Sequence, residues 1–194
     1  MGYIVLVRHG ESEANVKSIL ASRTGDYHLT ENGIEHANNA AKVLKGLPVS
    51  CIYSSPVRRA LETAEIIRKE FGDIRITVSE SIHETDFGRS EGKYFHGRIS
   101  DLTDKERLDM DIESWTSHVS RMKDFISSLD DNAIVVSHGF LIKAYISDLI
   151  GLRSDEAYGI NIRFGSISIV VPEESRVYAV GSYSLSEATR RKLQ

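Results

Sequence analysis

Tyr3-Ile4-Val5-Leu6-Val7 is an apolar run that stops abruptly at Arg8-His9-Gly10. A short β-rich apolar run bounded by glycine reads as a buried strand. Its last residues then stand at the carboxyl edge of a sheet, where open α/β sheets bind ligands. An arginine beside a histidine at that edge suggests an anionic partner and a titratable group. Gly10 lets backbone N–H groups come close to a ligand. Taken alone, the tripeptide is equally compatible with a strand end carrying two solvated polar residues. Residues 133–139, Ala-Ile-Val-Val-Ser-His-Gly, change that balance. A second apolar, β-branched run ends in His-Gly and leads into a helical pattern. Two strands that end alike predict that His9 and His138 converge at one sheet edge; for His138 a satisfied core histidine is the alternative.

With these residues in view, the sequence resembles the histidine phosphatase superfamily, which includes the cofactor-dependent phosphoglycerate mutases. The family's opening Arg-His-Gly-x-Thr/Ser-x-x-Asn is matched at Arg8, His9, Gly10, Ser12 and Asn15. Its Ser-x-x-x-Arg-Ala-x-x-Thr-Ala is matched at Ser55, Arg59, Ala60, Thr63 and Ala64. Its Glu-x-x-x-Gly-x-x-Glu-Gly is matched at Glu84, Gly88, Glu91 and Gly92, and its Ser-His-Gly at Ser137, His138 and Gly139. The four segments come in the family's order and span most of the chain. The family also has a glycine in a loop near the substrate, which makes Gly25 a candidate, although the spacing differs.

The 194 residues suit one domain, 1–194, with a sizeable core. A net charge of −4 gives no whole-chain attraction to nucleic acid or membrane. No stretch approaches the ~20 apolar residues of a transmembrane helix, and the first strand begins too early to leave room for a signal peptide. The single cysteine, Cys51, excludes an intrachain disulfide and suits a cytoplasmic location. It opens an apolar run and reads as a buried, inert thiol.

Along the chain, Thr30 is the expected N-cap of a helix whose buried stripe is Ile34, Ala37, Ala41 and Leu44. His36 falls off that stripe, on the surface. Cys51–Ser54 reads as a second strand. Ser55-Pro56 then reads as a helix start, with Ser55 as N-cap and proline at the first helical position. Arg59 and Thr63 share one face of that helix, while Arg58 points about 100° away, into solvent. A third strand, 74–78, leads to Glu84. Residues 93–111 read as a polar, irregular surface insertion. Trp115, Val119, Met122, Ile126 and Leu129 mark a helix stripe. Ala133–Ser137 is a fourth strand, 140–150 a buried helix, 166–171 and 176–181 a hairpin, and the tail from Ser184 a short helix. The alternation predicts an α/β fold: one three-layer domain, with a mostly parallel central sheet containing one antiparallel strand and helices on both faces.

Phosphoryl transfer is mostly positioning and electrostatic stabilisation. Arg8 and Arg59 are expected to bind the phosphoryl oxygens, with neutral donors from Ser12 and Asn15 and a positive one from His138 if it is protonated. The helix that begins after Gly139 turns its positive end to the same place. His9 is the expected nucleophile and must be neutral, with its other nitrogen held by an acceptor that the sequence does not identify. Glu84 is the expected general acid and base, a role that calls for a raised pKa. No metal is expected. No cofactor is expected either, except 2,3-bisphosphoglycerate if the protein is a mutase. The expected partner is a small phosphorylated substrate, with no nucleic acid or membrane; the oligomeric state is left open. A phosphatase of a small metabolite is expected first, because the 93–111 segment is short and acidic and the tail is brief. A phosphoglycerate mutase is the alternative. A metallohydrolase with His9, His138 and Glu84 as ligands, and a non-catalytic phospholigand-binding protein, are the rival classes. A serine hydrolase is disfavoured because no Gly-x-Ser-x-Gly elbow is present.

Overall fold

The computed structural model describes residues 2–95 and 102–194. One six-stranded sheet, in the order β3-β2-β4-β1-β5-β6, forms its centre. The strands are β1 (Ile4–Arg8), β2 (Cys51–Ser54), β3 (Ile76–Val78), β4 (Ala133–Ser137), β5 (Ile167–Val171) and β6 (Arg176–Ser182). β1 to β4 are mutually parallel; β5 runs against both β1 and β6. The expected single antiparallel strand is therefore β5.

The layers follow from strand alternation. Tyr3, Val5 and Val7 of the first strand join Ile52, Ile134 and Val136 under α2 (Glu31–Leu44), α3 (Arg58–Arg68) and Leu193 of the closing α7 (Glu187–Leu193). Ile4 and Leu6 join Val135 and Val170 on the opposite face, under α5 (Trp115–Ser127) and α6 (Gly139–Leu149). Covering both faces is what makes the central strands apolar along their whole length. A short α1 (Glu13–Val16) follows the first strand, and α4 (Asp104–Asp109) lies between β3 and α5.

Several local expectations are corrected. Thr30 caps α2 through Gly33 N, as expected, but Ile34 is 44% exposed and the inward face runs through Gly33, Ala37, Ala40, Ala41 and Leu44. The start of α2 packs so tightly on the Gly10–Glu11 turn that a Cβ on Gly33 would lie 1.9 Å from the Glu11 carbonyl oxygen, and one on Gly10 2.2 Å from that of Gly33. This contact sets the helix phase. His36 is half-buried beside Phe164, rather than on the surface. α3 begins at Arg58 with Val57 as cap, not at Ser55-Pro56. Ser55 is still tied to the sheet through its N–H to Val136 O, and its hydroxyl is engaged elsewhere. Cys51 is half-buried rather than buried. The 93–111 segment is not wholly irregular: α4 is capped by a reciprocal Thr103–Glu106 box. His96, Arg98 and Asp101 lie outside the described residues.

Candidate active site

The sheet register assembles the site. Arg8 lies opposite Ser137 on adjacent parallel strands, so the two His-Gly ends emerge side by side. The His9 and His138 ring centroids are 5.1 Å apart. β2 flanks β4 on its other side, bringing Ser55 and the first turn of α3 to the same edge. Beyond β3 the chain turns back to deliver Glu84. Arg121 of α5 holds this turn: it donates to the carbonyls of Ser81 and His83 and pairs with Glu113 at 2.6 Å.

His9 is 1% exposed and its Nδ1 lies 2.6 Å from the carbonyl oxygen of Gly10. A carbonyl only accepts, so Nδ1 carries the proton and Nε2 a lone pair. Arg59 Nε, which only donates, sits 3.1 Å from that Nε2. The acceptor that orients the His9 ring is thus the backbone of the next residue. Burial, followed by the charges of Arg59, His138 and Arg8, holds the pKa of His9 well below its usual value. At neutral pH His9 is an uncharged imidazole with an available lone pair, the form a nucleophile needs.

Arg59 is 3% exposed and spans the site: its Nη2 donates to the Ala21 carbonyl at 2.9 Å and pairs with Glu84 at 3.2 Å. Thr63, one turn on, donates to the Arg59 carbonyl and accepts the Gly10 N–H at 3.1 Å, fastening the His9-Gly10 turn to α3. Arg58 is exposed, as the helix phase requires, and forks onto Asp26 at 2.8 and 3.2 Å. Arg8 donates to the Ile162 carbonyl at 2.7 Å and lies 3.9 Å from the Phe164 ring centroid. Among the described residues its buried Nε has no hydrogen-bond partner, which leaves a donor for a ligand. Burial lowers Arg8 to about 10, against the attraction of Glu84.

His138 is fully buried, with Nδ1 3.1 Å from Glu84 and Nε2 2.7 Å from the Ser55 hydroxyl. Burial lowers it to about 4 although Glu84 pulls the other way. The expected positive donor is therefore a neutral imidazole in the resting protein. Glu84 is also corrected. Burial pushes its carboxyl up, but His138 and Arg59 outweigh that and hold it well below its usual range. It is a carboxylate in the free protein, not a carboxylic acid.

The remaining candidates divide. The Ser12 hydroxyl is buried and donates to Asn15 Oδ1 at 2.8 Å, as does its N–H at 3.1 Å. Ser12 therefore orients Asn15 and has no proton left for a ligand; of the two, only the Asn15 amide NH2 is left as a candidate neutral donor. A Cβ on Gly139 would stand 2.9 Å from Arg8 Nε, so this glycine gives the guanidinium its place. Gly25, at φ +78°, lies outside the His9 group. It lines a neighbouring cavity of about 490 Å³ with Arg23, Asp26, Arg58, Glu80 and His83. A second cavity, about 520 Å³, shares Arg23 and His83 and reaches Asp86, Asp111 and Arg121.

Sequence reasoning missed three contributors. Ser55 had the right register but was read as a cap. Phe164 carried no sequence signal, since it comes from a loop and acts through its ring. Glu91 matched the family pattern without a role attached.

Residues 4–183 match the model of the histidine phosphatase superfamily, branch 1. The chain belongs to the histidine phosphatase superfamily. A 2,3-bisphosphoglycerate-dependent phosphoglycerate mutase of Thermoplasma acidophilum is 34% identical, over 100% of this chain and 98% of its own length. The phosphoserine phosphatase of Entamoeba histolytica, solved with 3-phosphoglyceric acid, superposes with a TM-score of 0.73 at 28% identity, covering 96% of this chain and 98% of that one. The α-ribazole phosphatase of Shigella flexneri, at 21% identity, shares the fold with a TM-score of 0.78, over 95% and 98% of the two chains. This histidine phosphatase is an enzyme of phosphoryl transfer, a phosphatase or a phosphomutase. Among the described residues, His9, Glu84 and His138 offer ligand atoms within 4.8 Å of one another. The guanidinium of Arg59 contacts both His9 Nε2 and Glu84, so a cation there would meet positive charge; enzymes of this family generally work without a metal ion. No helix among the described residues is long and apolar enough to cross a membrane.

Proposed function

We propose that this enzyme hydrolyses small phosphomonoesters through a phosphohistidine at His9. The phosphoryl group is gripped by Arg8, Arg59 and the Asn15 amide. His9 Nε2 attacks phosphorus, the P–O bond to the substrate breaks, and the departing alkoxide takes a proton. A bound phosphate dianion competes for the His138 N–H and offsets the Arg59 charge, the two influences that keep Glu84 ionised, so the pKa of Glu84 rises when substrate arrives and the carboxyl becomes a proton carrier. His138 stays a neutral imidazole, since a positive charge 3.1 Å from Glu84 would hold that carboxyl ionised, and its Nδ1–H turns from Glu84 to a phosphoryl oxygen. In the second half, Glu84 takes a proton from water as the water oxygen attacks phosphorus; the P–N bond to His9 breaks, releasing inorganic phosphate and neutral His9. Glu84 has the access this needs: its side chain is 14% exposed, against 4% for Arg59 and 0% for His138.

One observation favours the phosphatase over the mutase. A mutase must hold a bisphosphorylated intermediate, which calls for uncommitted cations beyond the first phosphate site. Here the arginines lining the two adjoining cavities already face carboxylates: Arg58 pairs with Asp26 at 2.8 Å, Arg23 with Glu80 at 3.7 Å, and Arg121 with Glu113 at 2.6 Å. Arg107 of α4 lies 4.1 Å over the Phe140 ring. The mutase remains the second reading because a relative of that name matches over the full chain. Incubation with 3-phosphoglycerate, with and without 2,3-bisphosphoglycerate, separates the two. Phosphate release without 2-phosphoglycerate supports the phosphatase; bisphosphoglycerate-dependent 2-phosphoglycerate, formed faster than phosphate, supports the mutase. The single free thiol, Cys51, fits a cytoplasmic location.

A further inference from the structure

Glu91 lies outside the reacting group, yet its carboxylate collects five hydrogen bonds from three consecutive residues. Ser22 donates through N at 2.8 Å and Oγ at 2.7 Å, Arg23 through N at 3.0 Å, and Thr24 through N at 3.0 Å and Oγ1 at 2.8 Å. Such a row of backbone N–H groups is an anion-binding nest, and here a carboxylate from a distant part of the chain fills it. The residue just before the nest is Ala21, whose carbonyl receives Arg59 Nη2 at 2.9 Å. Around it the two segments are laced together: Leu20 N to Lys93 O, Gly92 N to Leu20 O, and Phe95 N to Ser18 O. Gly92, at φ +74°, supplies the turn that brings Glu91 under the loop.

We infer that Glu91 is a positioning residue: by fixing loop 22–24 it fixes the Ala21 carbonyl, and thereby the guanidinium of Arg59 over His9 Nε2. The inference rests on the phosphate-binding role proposed for Arg59. Without the carboxylate, the N–H groups of Ser22, Arg23 and Thr24 lose their common acceptor. The loop then no longer holds the Ala21 carbonyl in place, and Arg59 gains freedom that it must lose again on reaching the transition state. The same loop carries Arg23 to the shared wall of both cavities, so substrate placement is fixed along with the guanidinium.

A double-mutant cycle tests this, with kcat/KM for an aryl phosphate and the affinity for orthovanadate as separate readouts. Glu91→Ala is expected to lower both by about tenfold or more when Arg59 is present, and by less than about threefold in an Arg59→Ala background, because residues that act as a unit are non-additive. Glu91→Gln keeps the length and loses the charge, and is expected to fall between wild type and Glu91→Ala. It carries the cycle if the alanine variant does not fold. Equal losses in the two backgrounds, or wild-type values for both Glu91 variants, would overturn the inference. If Arg59→Ala itself leaves kcat/KM unchanged, the role of Arg59 fails and this inference with it; an additive cycle on an impaired Arg59→Ala enzyme overturns the positioning role of Glu91 alone.

Discussion

Arg58 and Arg59 are adjacent and chemically identical, and the structure assigns them opposite importance. Arg59 is buried, with Nε on His9 and Nη2 on Ala21 and Glu84. In the proposed mechanism these donors face the oxygens of the bound phosphoryl group. Removing a preorganised charged donor from a transition state costs on the order of 2–4 kcal/mol. At 1.36 kcal/mol per decade, Arg59→Ala should therefore lower kcat by about 30- to 1,000-fold. Arg58 contributes an exposed pair to Asp26, of the kind worth about 0–1 kcal/mol to stability, so Arg58→Ala should change kcat by less than about threefold. Arg59→Lys separates charge from geometry: an ammonium cannot span His9, Ala21 and Glu84 at once, so most of the loss should remain. The assay is steady-state hydrolysis of an aryl phosphate, with circular dichroism to confirm folding. Equal losses at both positions would refute the assignment, as would full rescue by lysine.

Further outcomes follow from the same contacts. Glu84→Gln should slow alkyl phosphates more than aryl phosphates, because a good leaving group needs less acid assistance; a uniform loss across a leaving-group series would remove Glu84 from the proton transfer. Gly139→Ala should lower kcat about tenfold or more by displacing Arg8, measurable by kinetics at unchanged far-UV dichroism; wild-type kcat would show that Arg8 tolerates the shift. His118, a fully buried residue of α5, and His138 are both lowered to about 4 by burial, so between pH 6.5 and 4 the unfolded chain binds protons that the fold refuses. Stability should therefore fall as pH drops through that window, by on the order of 3 kcal/mol for each histidine; a thermal midpoint independent of pH there would contradict the burial of both.

The central layer was legible because its physics is local and periodic. Runs such as Tyr3–Val7 and Ala133–Ser137 have one plausible state, and their shared His-Gly ending placed both histidines at one edge before any register was known. Arg59 was separable from Arg58 because helix spacing sets the two about 100° apart and the Arg-Ala-x-x-Thr-Ala register of the family resemblance, through Ala60, picks Arg59 as the inward one. What failed depended on partners distant in sequence. Ser55 looks like an N-cap, and only the position of His138, 83 residues away, shows where its hydroxyl goes. The inward phase of α2 turned on a backbone contact between Gly33 and Glu11. The charge state of Glu84 was misjudged for a similar reason. Its place just past a strand was foreseeable, but the simultaneous contact with Arg59 and His138 was not, and that contact decides the sign of the shift. Phe164 and Glu91 act through a ring face and a loop nest, neither of which leaves a periodic trace.

The account stands most directly on the covalent step at His9. The enzyme should be mixed with substrate, quenched rapidly without acid, digested and examined by mass spectrometry for an added phosphoryl group. The expected result is an acid-labile adduct on the peptide containing His9, absent from His9→Ala and accumulating in Glu84→Gln when an aryl phosphate makes the first step fast. An adduct on Ser12 or His138 would contradict the central claim, as would turnover in His9→Ala at the wild-type rate.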